Sequence, residues 1–181
     1  MLQLNFNPFP ELMSQRLRLR RIEADDFQQV YSLRSDERVN FFLDRKPALS
    51  EDDAKIFIDK IIKVIEKNEG AYWAICLKEN PKLIGTVCFF DFSSITQSAE
   101  IGYELLPFYQ HKGIMHEALS VVIPYGFQSL ELKSITACPT ADNLSSIKLL
   151  ERNGFLLEDD GVERKDNLVK YVLREKPPGL S

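Results

Sequence analysis

A junction between a strand and a helix, over residues 105–119, constrains this chain more than any other stretch. It runs from an apolar strand end at Leu105 through a short basic loop into an apolar helix. Backbone N–H groups at the start of a helix have no partner within the helix, and the helix dipole places partial positive charge there. The junction is therefore predicted to bind an anion.

Gly113 is the one glycine of this loop, and a phosphate approaches the main chain closely where no side chain intervenes. We interpret the loop as a site for the diphosphate of coenzyme A. Lys112 and His111 are expected to add charge from its rim, and Ile114 and Met115 to face the core or the pantetheine arm. An ordinary turn in which Gly113 relieves backbone strain remains the alternative. The chain has neither a G-x-G-x-x-G nor a G-x-x-x-x-G-K-[ST] phosphate loop.

Length and charge narrow the class of protein. A chain of 181 residues is expected to form one domain over residues 1–181. The net charge of −4 argues against direct nucleic-acid binding. We expect no membrane span, because no apolar run approaches the roughly 20 residues that one needs. The first residues lack the order of a secretory signal, which favours a cytoplasmic location.

The first half of the chain predicts helices and an antiparallel meander. Ser50 and Asp53 form a capping-box pattern before an apolar stripe with helical spacing. Residues 16–22 alternate between apolar and basic side chains, which is typical of a half-exposed strand. The apolar runs at 71–77, 83–90 and 99–105 predict three further strands, paired in an antiparallel meander. The predicted strands of this half are 16–22, 71–77, 83–90 and 99–105, and the predicted helices are 24–36 and a segment starting after Ser50 and ending at 68–70.

The second half predicts a parallel crossover. The helix after Gly113 is apolar on nearly every side, so it should be buried and should return the chain to a strand at 134–138 parallel to its predecessor. Pro139 lacks a backbone N–H, so the two strands are expected to splay apart and open a slot for an extended ligand. A helix from Asp142 and strands at 155–157 and 168–173 follow. The predicted class is mixed α/β, with a central mostly antiparallel sheet flanked by helices.

Two motifs then carry a family resemblance. The loop-helix at 110–115 resembles the acetyl-CoA-binding motif Q/R-x-x-G-x-G/A of the GNAT N-acetyltransferase superfamily. Asn143-Leu144-Ser145-Ser146, in a helix that ends at Gly154-Phe155, resembles that superfamily's N-x-x-S/A helix. With Arg16–Arg20 and Glu117–Leu119, these motifs resemble the ribosomal-protein-alanine N-acetyltransferase (RimJ/RimL-like) branch. The resemblance spans residues 16–174 and implies a GNAT-like acyl-CoA N-acyltransferase fold with acetyl-CoA as co-substrate.

The resemblance also implies roles for individual residues. By similarity, Asn143 would hydrogen-bond the pantetheine and Ser146 would lie near the thioester sulfur. Leu150 stands where many members have a tyrosine that protonates the leaving thiolate, and Met115 stands where the motif has Gly or Ala. The residues implied to hold the pantetheine and the diphosphate are Leu105, Gln110, His111, Lys112, Gly113, Ile114 and Met115.

Transfer of an acetyl group from a thioester to an amine needs a neutral amine and a proton for the sulfur, and no protein nucleophile. A peptide α-amine has a pKa near 8, so roughly a tenth is neutral at pH 7 and a weak base is enough. We predict Glu100 as that base, because its strand passes beside the predicted slot, with Glu104 on the same strand face as the substitute. Ser146 or water is the predicted acid. The alternatives are a solvated strand carboxylate for Glu100 and a helix-start residue for Ser146 and Asn143.

The branch favours a protein N-terminal α-amine as the acceptor. Polyamines, amino acids, antibiotics and lysine side chains remain alternatives, as does a non-catalytic acyl-CoA-binding regulatory module. A homodimer is implied by the branch alone. The acidic run at 158–160, followed by Gly161, leaves a metal site as an alternative, but we interpret it as an acidic turn and expect no metal.

Overall fold

The computed structural model describes residues 2–159, 161 and 167–175. The acidic turn predicted at 158–160 therefore includes one residue, Asp160, that lies outside the described residues. In chain order the elements are β1 (Leu12–Met13), β2 (Leu17–Arg21), α1 (Phe27–Ser35), α2 (Glu37–Asn40), α3 (Glu51–Glu66), β3 (Ala71–Leu77), β4 (Asn80–Ser93), β5 (Ser98–Leu105), α4 (Ile114–Gln128), β6 (Ser134–Ala137), α5 (Leu144–Arg152), β7 (Leu156–Leu157) and β8 (Tyr171–Arg174).

The strands form a mixed sheet in the order β1-β2-β3-β4-β5-β6-β8-β7. The pair β5–β6 is parallel, and the other neighbouring pairs are antiparallel. The parallel pair follows from the α4 crossover, which returns the chain to the same edge of the sheet. The predicted mostly antiparallel sheet flanked by helices is confirmed.

Helices α3 and α4 cover opposite faces of the sheet. The ring of Trp73 in β3 packs against that of Tyr125 in α4, with centroids 5.6 Å apart. Its neighbour Tyr72 packs against Phe57 of α3 at 5.9 Å. Because successive side chains of a strand point to opposite faces, these two contacts place the helices on opposite sides.

The cap predicted for α3 is present. Ser50 Oγ accepts a hydrogen bond from the Asp53 backbone N–H at 3.2 Å, and Asp53 Oδ2 accepts one from the Ser50 N–H at 3.1 Å. The two residues satisfy donors that the helix itself leaves without partners, which fixes where α3 begins.

The last strand begins later than the sequence predicts. The Leu168 segment pairs with Thr140, and the Val169 N–H donates to the carbonyl of Pro139 at 2.9 Å. Pairing of β8 with β6 starts at Tyr171. The apolar run is thus divided between two partners, a distinction that its residue pattern does not contain.

In the part of the chain described, no helix has the length and apolar character needed to cross a bilayer.

Candidate active site

Strands β5 and β6 separate in the middle of the sheet, as predicted. Their register joins Ser98, Ala99 and Glu100 to residues 134–136, and β5 then continues to Leu105 beyond the last paired position. The chain following β6 reaches Pro139, which has no N–H to extend the ladder. A cavity of about 580 Å³ opens between the two strands and is bordered by both loop-helix motifs.

The loop before α4 forms one end of this cavity. Gly113 precedes the helix with φ of 74°, in the left-handed region that glycine adopts most readily. The first N–H groups of α4 have no intrahelical partners and begin at Ile114. The predicted cofactor residues that border the cavity here are Leu105, Gln110, His111, Gly113, Ile114 and Met115.

Some of these side chains also have structural contacts. The side-chain amide of Gln110 donates to the Leu105 carbonyl at 2.9 Å, which ties the loop to the end of β5. Lys112 is not among the residues bordering the cavity; its ammonium lies 3.8 Å from the ring centroid of Phe108. The positive charge expected from Lys112 at the loop rim is therefore engaged in a cation–π contact.

The start of α5 forms a second side of the same cavity. Asn143 caps this helix: its Oδ1 accepts hydrogen bonds from the Ser146 N–H at 3.1 Å and from the Ser145 hydroxyl at 3.0 Å. Asn143, Ser145 and Ser146 all border the cavity. Asn143 therefore caps α5 and also borders the cavity.

Ser146 has a partner that the sequence analysis missed. Its hydroxyl lies 2.8 Å from that of Tyr103, which reaches it from β5 across the gap. Burial raises the pKa of Tyr103 to about 12, although the hydrogen bond with Ser146 acts in the opposite direction. Leu150, at the position of the expected tyrosine, is completely buried in the core. A tyrosine hydroxyl is therefore present at the site, but it comes from a neighbouring strand.

The two candidate carboxylates lie on the other face of β5. Glu104 Oε1 accepts a hydrogen bond from Thr86 at 3.4 Å, and the Thr86 hydroxyl lies 3.3 Å from that of Tyr72, on the face that α3 covers. Glu100, four positions earlier on the strand, shares this face. Tyr103 lies at an odd-numbered position between them and therefore faces the opposite way.

Glu104 is held in a buried ion pair. Its Oε2 lies 2.6 Å from Nη2 of Arg45, and the two side chains are 8% and 19% exposed. Burial, and next the charge of Glu104, raise the pKa of Tyr72 well above its ordinary value. The carboxylate of Glu104 is therefore engaged in a structural contact with Arg45. Glu100 also borders the cavity, and it stands where the β5–β6 pairing ends.

Comparison with known proteins agrees with this architecture. A family model described as the acetyltransferase (GNAT) domain matches residues 16–156. An uncharacterized N-acetyltransferase of Bacillus subtilis, YoaA, is 32% identical over 157 residues, which cover 87% of this chain and 88% of that protein. The ribosomal-protein-serine acetyltransferase of Escherichia coli is 32% identical over 109 residues, 60% of each chain.

Solved structures have the same fold. One is described as RimL, a ribosomal L7/L12 alpha-N-protein acetyltransferase, in complex with coenzyme A. It superposes with a TM-score of 0.79 at 19% sequence identity and covers 91% of this chain and 98% of its own. At this identity the likeness establishes the fold.

Proposed function

This chain belongs to the GNAT acetyltransferase family and is an N-acetyltransferase, and we propose that it transfers acetyl from acetyl-CoA directly to a protein N-terminal α-amine. The observation that carries the proposal is the meeting of both loop-helix motifs, a carboxylate and a pair of hydroxyls at one cavity between β5 and β6. Acetyl-CoA supplies the activated acetyl group.

The diphosphate would bind at the loop before α4. Gly113 has no side chain to obstruct an anion, and among the described residues beyond its two chain neighbours, a Cβ at this position would approach Arg16 Nη2, at 3.6 Å. Open space and helix N–H donors suit a diphosphate. The edge of β5 beyond Glu100 has peptide groups facing the gap, which suit the amide groups of a pantetheine arm. Asn143 and Ser146 border the same gap from α5.

Glu100 is the proposed general base. It borders the cavity on the face of β5 that α3 covers, and it would receive the proton of the amine directly or through one water. Roughly a tenth of a peptide α-amine is neutral at pH 7, so a carboxylate of ordinary basicity is adequate. Glu104, the substitute candidate, is assigned instead to the ion pair with Arg45.

The Ser146 hydroxyl is the proposed acid: it would give its proton to the departing sulfur and take one from the Tyr103 hydroxyl, and water in the cavity would then return a proton to Tyr103. Tyr103 and Glu100 face opposite sides of β5. Glu100 would therefore take the proton of the amine on one side of the gap, and Ser146 with Tyr103 would protonate the departing sulfur on the other. The raised pKa of Tyr103, about 12, keeps its hydroxyl protonated at neutral pH, as a proton donor requires.

Two features support a peptide acceptor. The cavity is bordered by the apolar side chains of Val39, Phe42 and Leu43, which suit the side chains of a peptide. The ribosomal-protein-serine acetyltransferase of E. coli is also related in sequence over 60% of this chain.

The test is release of free CoA thiol from acetyl-CoA with a panel of amines. We expect turnover with peptides that have a free N-terminus, and none with the same peptides when the N-terminus is blocked and an internal lysine remains. Faster turnover of spermidine, free amino acids or aminoglycosides than of peptides would overturn the acceptor assignment. Binding of acetyl-CoA without turnover of any amine would instead favour a regulatory module.

A further inference from the structure

Two segments of the sequence that the proposed chemistry does not use meet in the structure. Arg16 precedes β2 and Glu117 lies in the first turn of α4, 101 positions later. Arg16 Nε lies 2.6 Å from Glu117 Oε2, and the Arg16 backbone N–H donates to Glu117 Oε1 at 2.6 Å. The hydroxyl of Ser14 donates to the same oxygen at 2.7 Å. We call Ser14, Arg16 and Glu117 the Arg16 clamp.

The clamp also holds the loop itself. Both terminal nitrogens of Arg16, Nη1 and Nη2, donate to the carbonyl of Lys112 at 3.2 Å. In a planar trans peptide the C=O and the following N–H point in opposite directions. With the Lys112 carbonyl turned towards Arg16, the Gly113 N–H is turned away from it. The guanidinium thereby fixes the peptide group immediately before α4.

The clamp also offsets the negative charge of Glu117 near the diphosphate loop. Glu117 is a negative charge in the first turn of α4, close to a loop predicted to bind an anion. Alone it would repel a diphosphate, but its ion pair with Arg16 offsets that charge. Burial alone would raise the pKa of Glu117, yet the hydrogen bonds from the Arg16 backbone, Ser14 and the guanidinium lower it overall, so the carboxylate stays ionised and bound.

We propose that Arg16, held by Glu117 and Ser14, is a positioning residue of the diphosphate loop that orients the Gly113 peptide and offsets the charge of Glu117. This inference rests on the proposed function, because it assumes that the loop binds the diphosphate. It assigns a role to the arginine before β2, which is remote from the loop in the sequence.

The test compares coenzyme A with pantetheine, which lacks the diphosphate and the phosphorylated adenosine attached to it, by calorimetric titration of wild type and Arg16→Gln. We expect the Kd of coenzyme A to rise about tenfold or more, since charge-assisted hydrogen bonds are lost, and the Kd of pantetheine to stay unchanged. In turnover assays, KM for acetyl-CoA should rise while kcat is retained. Arg16→Lys, which keeps the charge but not the forked geometry, should restore binding in part.

Arg18→Gln is the matched control. Arg18 lies on β2, pairs with Glu11 at 2.9 Å and has a side chain 45% exposed, against 46% for Arg16. It should leave both Kd values unchanged. If Arg16→Gln does not fold, Glu117→Gln decides, because this nearly isosteric change removes the charge that holds the guanidinium.

The outcomes separate the two claims. If wild type binds coenzyme A no more tightly than pantetheine, the loop does not bind the diphosphate and the proposed function fails. If wild type discriminates and the Arg16 and Glu117 variants discriminate equally well, the positioning inference alone is overturned. An equal loss of affinity for both ligands would also overturn it, because that result indicates a general structural defect.

Discussion

The hydroxyl pair of Tyr103 and Ser146 gives the most discriminating prediction about catalysis. Tyr103→Phe removes one hydroxyl and keeps the ring that fills the space beside α5. The lost contact is a hydrogen bond of 2.8 Å between two neutral groups. Its net value is about 1 kcal/mol, which corresponds to roughly a fivefold decrease in kcat.

Ser146→Ala is expected to cost more, because it removes the proposed donor to the sulfur. A general acid contributes about 10²-fold or more, so kcat should fall by at least about 100-fold. If Tyr103 acts through Ser146, the double variant should have the kcat of Ser146→Ala alone. The two changes would then be non-additive by about 1 kcal/mol, which a double-mutant cycle measures.

The assay is steady-state thiol release with saturating acetyl-CoA, with thermal unfolding of each variant as a check on folding. Tyr171→Phe is the matched control, because the Tyr171 hydroxyl also reaches α5 from a strand, donating to Glu151 at 3.2 Å. Neither Tyr171 nor Glu151 borders the cavity, so Tyr171→Phe should leave kcat unchanged. A kcat for Tyr103→Phe within the error of wild type, or losses that multiply in the double variant, would refute the relay.

Three further predictions concern the loop, the carboxylates and the sheet. Gly113→Ala places a side chain at φ 74°, so it should lower the free energy of unfolding by about 1–2 kcal/mol and also weaken acetyl-CoA binding. Gly154→Ala is the control: this glycine has φ 85° but does not border the cavity, so a denaturation assay should show a loss of stability and a titration should show unchanged acetyl-CoA binding. Glu100→Gln should lower kcat by about 10² or more. Glu104→Gln should retain kcat but lose about 3 kcal/mol on urea unfolding, because it breaks a buried ion pair; the reverse pattern would exchange their roles. Burial, and next Glu104, raise the pKa of Cys88 from 9.0 to about 12, so the unfolded chain loses this proton first and stability should fall as pH rises above about 9. Cys88→Ala should flatten that fall, and an unchanged slope would contradict it.

Several elements could be predicted because their signals are local. The capping box of Ser50 and Asp53 is complete within four residues, and it marks the start of α3 at the expected place. The crossover to β6 and the proline after it predicted the gap between two strands, since each follows from chain connectivity or from a missing N–H.

Other features of the site depend on residues far apart in the chain. Tyr103 meets Ser146 across 43 positions, and Arg16 meets Glu117 across 101. The family pattern points to position 150, which is Leu150 in this chain, whereas the alternation of side chains along β5 places Tyr103 beside the predicted gap.

Local patterns in the chain specify most helices and strands, the position at which the sheet separates, and the helix start at that gap. Those features depend on periodicity, caps and glycine or proline, whose effects reach a few residues along the chain. Which side chains meet at the cavity depends on the tertiary structure. There Glu104 forms an ion pair with Arg45, and the Lys112 ammonium lies over the ring of Phe108. The hydroxyls of Tyr103 and Ser146 are in hydrogen-bond contact. Such pairings arise when distant segments pack, and a one-dimensional pattern does not contain the distances that select them.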